Sequence, residues 1–161
     1  MPRLLILYHT QTGGTESLAE AALRGASGSS ETRAIVKRAK DANAEDLLAA
    51  DGVLFGTPEN FGYMSGMLKD FFDRVYYACE NKVMARPYSV FVCAGNDGTG
   101  AMREVDRIVT GLRMKKVHPG VIARRVGGMV GSSRGHLDPA DIAQVQELGA
   151  TLAAGLAYGV F

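Results

Sequence analysis

This chain lacks several things that would narrow its biology at once. No apolar stretch reaches the ~20 residues that a bilayer-crossing helix needs. No charge of one sign dominates: the net charge is +1 over 161 residues, which argues against a nucleic-acid binder. Cysteine is scarce, and Cys79 and Cys93 without C-x-x-C spacing exclude a disulfide framework and a thiolate metal centre. The opening MPRLLILYH has too short an apolar segment for a signal peptide and no small-residue cleavage site, so a cytoplasmic protein is expected. What remains is globular composition, with 47% hydrophobic and 22% charged residues. A chain of this length buries about 70% of its extended surface, so one domain over residues 1–161 is expected.

Apolar runs alternate with amphipathic ones. Residues 3–9, 32–38, 52–57, 87–95 and 117–126 read as strands, several of them apolar throughout, as strands buried on both faces are. Helical spacing joins Leu18, Ala22 and Gly25, then Met67, Phe71, Val75 and Ala78. It recurs at Met102, Val105, Ile108, Val109 and Leu112, and at Ile142, Val145, Leu148, Leu152 and Leu156. A short helix is expected within 42–50. Thr15 or Ser17, Ser65, and Asp138 before Pro139 read as helix starts. Alternating strands and helices with right-handed crossovers predict an α/β fold: a doubly wound five-stranded parallel sheet in the order 2-1-3-4-5, with helices on both faces. The Gly- and Ser-rich segment 127–138 reads as a lid, an oligomer contact or a plain connection.

In such sheets, ligands lie beyond the carboxyl ends of the strands, which directs attention to three loops. The first, HTQTGGTES, carries four hydroxyl side chains and no lysine or arginine. In Thr10-Gln11-Thr12-Gly13-Gly14-Thr15 the glycines let backbone amides converge at a helix start, and the threonines add hydroxyls, a combination suited to a phosphate monoester. A threonine-rich capping turn is the alternative. The Walker pattern G-x-x-x-x-G-K-[ST] is absent, which argues against a nucleoside triphosphate.

The residues also resemble a known family. Thr10 to Thr15 is similar to the T-x-T-G-x-T phosphate loop of flavodoxins, departing at Gly14, where asparagine is common. The stretch GTPENFGYMSGMLKDFFDR (56–74) resembles the corresponding segment of the flavodoxin-like NAD(P)H:quinone oxidoreductases and NADPH-dependent FMN reductases. The resemblance covers nearly the whole chain. It implies FMN, with the phosphate in a cation-free first loop and the isoalloxazine ring between the second and third. The second loop would contribute Pro58, Glu59, Asn60, Phe61 and Gly62, with backbone groups near the flavin N5 and Phe61 or Tyr63 over its face or edge. Phe61, Tyr63 and Met64 read equally as an apolar staple over the next helix. The third loop would contribute Ala94, Gly95, Asn96, Asp97 and Gly98, and the N–H groups of Asn96, Asp97 and Gly98 would stabilise negative charge on reduced flavin N1 and O2. An ordinary strand-to-helix loop is the alternative there.

The remaining chemistry-bearing residues read as structural. Without an arginine six residues beyond Cys93, a thiol phosphatase is excluded, and both cysteines are expected in the core. Gly56-Thr57 stands where a receiver domain needs its phosphoacceptor aspartate. His9, His118 and His136 have no partner in sequence, and only the loop position of His136 could bring it over a flavin. Arg113, Lys115, Lys116, Arg124 and Arg125 read as one solvated basic face, or as an attractor for an NADP phosphate or an acidic partner. The resemblance implies an FMN-dependent oxidoreductase that takes electrons from NADH or NADPH to a quinone or similar small acceptor, with no catalytic side chain and no metal required. It implies a homodimer or homotetramer. The resembled reductases carry a longer insertion after the fourth strand, where this chain has only AGNDGTGAMRE. The alternatives are a flavodoxin-type single-electron carrier serving a protein partner, although such carriers are usually strongly acidic, and a flavin-binding module without turnover.

Overall fold

The apolar runs become strands because only a sheet covered on both faces can bury residues that are apolar at every position. A computed structural model describes residues 1–127 and 135–161. The elements run β1 (Arg3–Tyr8), α1 (Gly14–Ala26), β2 (Arg33–Arg38), α2 (Ala44–Ala49), β3 (Gly52–Asn60), β4 (Tyr63–Met64), α3 (Gly66–Cys79), β5 (Pro87–Ala94), α4 (Thr99–Gly111), β6 (Lys115–Lys116), β7 (Val121–Val126), β8 (His136–Leu137) and α5 (Pro139–Tyr158). The sheet order is β2-β1-β3-β5-β7-β8. The five long strands are parallel and in the expected order, and the short β8 adds an antiparallel edge to β7.

Alternation along the strands sorts the core into two layers. Leu5, Leu7, Val53, Phe55, Val90 and Val92 face α2, α3 and α4, together with Phe71, Phe72 and Val105. Leu4, Ile6, Leu54, Phe91, Cys93 and Ala123 face α1 and α5, together with Leu18, Val145 and Leu152. Each large side chain fully buried in this way contributes roughly 1.5–3 kcal/mol. Where α1 crosses α5 there is no room for side chains. A Cβ on Gly25 would overlap the Gln146 carbonyl, and one on Gly149 would overlap the Ala22 carbonyl. The two helices therefore meet backbone to backbone.

Three expectations are corrected. The fifth long strand begins at Val121, not at 117, because Pro119 has no N–H for the ladder and Gly120, at φ 89°, turns its own N–H onto His118 Nδ1 at 3.0 Å. The first helix starts at Gly14 with Gly13 as its N-cap, so neither Thr15 nor Ser17 caps it; the chain turns there at φ 96°, a left-handed conformation that suits glycine. Ser65 and Asp138 do cap α3 and α5 through their side chains. The third strand runs beyond 57 to Asn60, because it folds back on β4 as a hairpin. Residues 128–134, the centre of the Gly- and Ser-rich segment 127–138, lie outside the described residues. Among the described residues no helix is long and apolar enough to cross a membrane.

Candidate functional site

The carboxyl ends of β1, β3, β5 and β7 open onto a cleft of about 250 Å³. The first loop supplies Thr10, Gln11, Thr12 and Thr15 to its wall, and the second supplies Pro58, Glu59 and Asn60. Cys93, Gly95 and Arg125 close the far side. Gly13 and Gly14 line an adjoining depression that also touches Arg125.

The first loop is held in shape by its own polar groups. Thr10 Oγ1 accepts from the Gly13 N–H at 3.0 Å, and Ser17 Oγ donates to the Gly13 carbonyl at 3.1 Å. The first backbone bond of α1 runs from the Ser17 N–H to the Gly13 carbonyl, so the amides of the preceding first turn have no partner within the helix. Thr15 is 1% exposed, and its hydroxyl has no hydrogen-bond partner. A buried hydroxyl left unpaired costs about 1–3 kcal/mol. This one lines the cleft, where an acceptor would satisfy it. Glu16, which would repel an anion at this helix start, is turned away: Arg38 Nη2 and Tyr8 Oη both donate to its Oε1, at 2.8 and 3.3 Å.

The second loop is a hairpin whose tip places Phe61 at φ 54° and Gly62 at φ 71°, the left-handed pair of a tight two-residue turn. At its base, Thr57 Oγ1 accepts from the Ser65 N–H at 3.0 Å. The Glu59 carboxylate accepts from the N–H groups of Gly98 and Ala101, at 2.9 and 3.1 Å, and so caps the start of α4 from another loop. Asn60 Nδ2 donates to Gln11 Oε1 at 3.1 Å, tying the hairpin to the first loop as well.

Several expected contributors stand elsewhere. Phe61 is wholly solvent-exposed on the turn and does not line the cleft. Its left-handed position at the tip carries the ring outward. Gly62, Ala94, Asn96, Asp97 and Gly98 are not in the wall either. The Gly98 N–H is already bound by Glu59, the Asn96 carbonyl accepts from Arg124 Nε at 3.1 Å, and the Asp97 carboxylate accepts from the Thr99 hydroxyl at 2.8 Å. Those Thr99 bonds hold the Asp97 carboxyl below its usual range.

Two residues of the wall were expected in other roles. Cys93 is 4% exposed, as a core cysteine should be, yet its sulfur reaches the cleft; burial pushes its thiol up, and the Arg125 guanidinium beside it pulls partly back. Arg125 donates from Nη2 to Thr12 Oγ1 at 2.9 Å, so the first loop is not free of cations. The basic residues of 113–125 do not form one face. Lys116 pairs with Asp106 at 2.6 Å, and the adjacent Arg124 and Arg125 separate to opposite sides of the sheet. The signal was present in strand alternation: Val121 and Ala123 face α1, and Arg125 continues their row. None of the histidines lines this cleft. Among the described residues no group of three or more His, Cys, Asp or Glu side chains is placed to hold a metal.

Comparison with known proteins gives one fold and relatives of two descriptions. Residues 29–128 match a family model described as NADPH-dependent FMN reductase. A flavodoxin of Aquifex aeolicus (strain VF5) is 34% identical over 100 residues, which are 62% of this chain and 54% of that protein. An NAD(P)H dehydrogenase (quinone) of Acidithiobacillus ferrooxidans is 32% identical over 121 aligned positions, covering 62% of this chain and 60% of that protein. The matches thus span little more than half the length of these relatives. Among solved structures, a flavodoxin from the domain Archaea superposes with a TM-score of 0.77 at 17% identity, covering 96% of this chain and 98% of its own. A WrbA-like flavodoxin from Agrobacterium tumefaciens gives 0.73 at 19% identity, with 99% of each chain covered. At such identities the likeness establishes the flavodoxin-like fold.

Proposed function

The chain belongs to the NADPH-dependent FMN reductase family, and from that premise we propose that the cleft binds FMN and that the protein is an NAD(P)H-dependent oxidoreductase reducing a quinone or similar small acceptor. The observation that carries the reading is the Thr15 hydroxyl, buried, unpaired and facing a cleft beside the free amides of a helix start. It needs an acceptor, and a phosphate oxygen is one. Thr10 and Thr12 stand in the same wall, and the family match begins only at residue 29, so this assignment rests on geometry.

Bound FMN would supply the hydride relay, taking two electrons and a proton from NADH or NADPH and passing electrons to the acceptor. The chain's own work is positional. The hairpin and Gly95 would border the ring, and Glu59 holds the hairpin to the start of α4 through two hydrogen bonds. Pro58, Asn60 and Gly95 form the wall there. With no donor or acid side chain required, these residues would orient the ring for NAD(P)H and acceptor in turn. The unpaired Cys79 and Cys93 fit a reducing cytoplasm, and residues 1–161 would act as one domain within a homodimer or homotetramer.

The near-neutral charge favours this reading over a carrier, whose protein partner would be drawn by a field this chain does not have. The test is an anaerobic titration of the FMN-loaded protein with NADPH and NADH, followed by flavin absorbance. Rapid bleaching by one equivalent is expected. No reaction with either nucleotide, with stepwise one-electron reduction by dithionite, would replace the enzyme with the carrier.

A further inference from the structure

Arg125 is an arginine without a carboxylate. Among the described residues no ion pair includes it, although Arg38, Arg74 and Lys116 each have one. Its guanidinium is instead spent on a neutral hydroxyl, that of Thr12, in the wall of the cleft. A half-buried cation left this way lacks a counter-charge, and the cleft it faces also holds the unpaired Thr15 hydroxyl.

The space it occupies exists because residue 14 has no side chain. A Cβ on Gly14 would overlap Arg125 Nη2 and lie 2.7 Å from Cys93 Sγ. Any other residue at this position, in the first turn of α1, would push the guanidinium out. Gly14 and Arg125 are 111 residues apart in sequence, and the fold brings the guanidinium into the space that the missing side chain leaves.

We propose that Arg125 is the counter-charge for a phosphate monoester seated in the first loop, and that Gly14 is the opening that admits it. This rests on the FMN reading of the cleft and deepens it: the tail would be held by a guanidinium from the fifth long strand as well as by amides and hydroxyls. A guanidinium presents a planar fork of donors suited to phosphate oxygens. An amide and hydroxyl cradle accepts any small anion, whereas a full positive charge favours the dianion that a monoester becomes above pH ~6. Arg125 would therefore set the preference for FMN over riboflavin, which has the same ring and no phosphate.

The test compares equilibrium binding of FMN and riboflavin, by quenching of flavin fluorescence, to the wild-type protein, Arg125→Gln, Arg125→Lys and Gly14→Ala, with circular dichroism confirming that each is folded. Arg125→Gln should weaken FMN binding about 10- to 100-fold, the worth of one or two charge-assisted bonds. Riboflavin binding should stay within about twofold, since only the phosphate is addressed. The salt dependence of FMN binding should flatten in that variant, and Arg125→Lys should recover part of the loss. Gly14→Ala should reproduce the FMN defect, and adding it to Arg125→Gln should cost little more, because both act on one contact. Equal losses for FMN and riboflavin, or none, would overturn the inference while leaving the FMN reading of the cleft in place. So would an effect confined to the KM ratio of NADPH to NADH, which would assign the arginine to the nucleotide's phosphate. A wild-type protein that binds neither flavin overturns the underlying reading, and this one with it.

Discussion

The carboxylate of Glu59 stands 2.9 Å from the backbone N–H of Gly98, across 39 residues of sequence, and its other oxygen takes the Ala101 N–H at 3.1 Å. A residue of the hairpin thus caps a helix that begins in another loop, and one side chain ties the two loops together. Replacing it by glutamine leaves one acceptor oxygen for two donors and removes the charge from the helix start. Glu59→Gln should lower stability by about 1–2 kcal/mol, measured by urea unfolding. Unchanged stability would mean that the two loops are held by packing alone.

Thr15→Val should separate folding from binding. Valine has the same shape and lacks the buried hydroxyl that finds no partner. The cofactor-free protein should therefore gain up to about 1 kcal/mol, while FMN affinity falls about tenfold. Melting curves with and without FMN read both effects, and Thr15→Ser should retain most of the affinity. Loss of stability in the cofactor-free valine variant would show that the hydroxyl is satisfied there.

At the crossing of α1 and α5, Gly25→Ala would drive a methyl group into the Gln146 carbonyl. Neither helix can yield without disturbing the core around Leu18 and Val145, both fully buried. A cost of about 1–3 kcal/mol or more is expected from overpacking, with FMN affinity reduced in the fraction that remains folded. Urea unfolding and FMN titration of the same sample check it.

His9 supplies a pH dependence with a definite sign. Burial, and then the nearby Arg38, hold its imidazole below the ordinary 6.5. Well above 6.5 the ring is neutral in both folded and unfolded chains and this group leaves stability unchanged. As pH falls below 6.5 the unfolded chain takes up the proton first, so stability declines until the lower folded value is passed. His9→Gln should flatten that part of the stability curve between pH 7.5 and 5.5, followed by urea midpoints. An identical slope in both proteins would assign the acid sensitivity to other groups.

The sheet was legible because its strands are written as apolar runs, which have few other uses in a chain of this composition. Leu4 to Leu7 can hardly be anything but a strand buried on both sides, and all four are 0–3% exposed. The glycine and threonine signals of the first loop were equally readable, since the reasons for those residue types are local. What the sequence hid was the return of distant groups. Glu59 reads as one more loop carboxylate until the hairpin turns it onto α4, and Arg125 reads as part of a basic cluster until alternation on β7 points it at Thr12. Phe61 shows the converse: its residue type suggests packing, but its left-handed backbone at the hairpin tip leaves the ring in solvent.

The side-chain-free crossing of α1 and α5 acts on the cleft as a fulcrum acts on a lever. Eleven residues, roughly 16 Å of helix, separate Gly25 from the amides at the mouth, so any play at the pivot would be magnified at the helix start that lines the cleft. Backbone resting on backbone allows almost none. The entropy of aiming those amides is therefore settled when the protein folds and need not be charged against the arriving ligand.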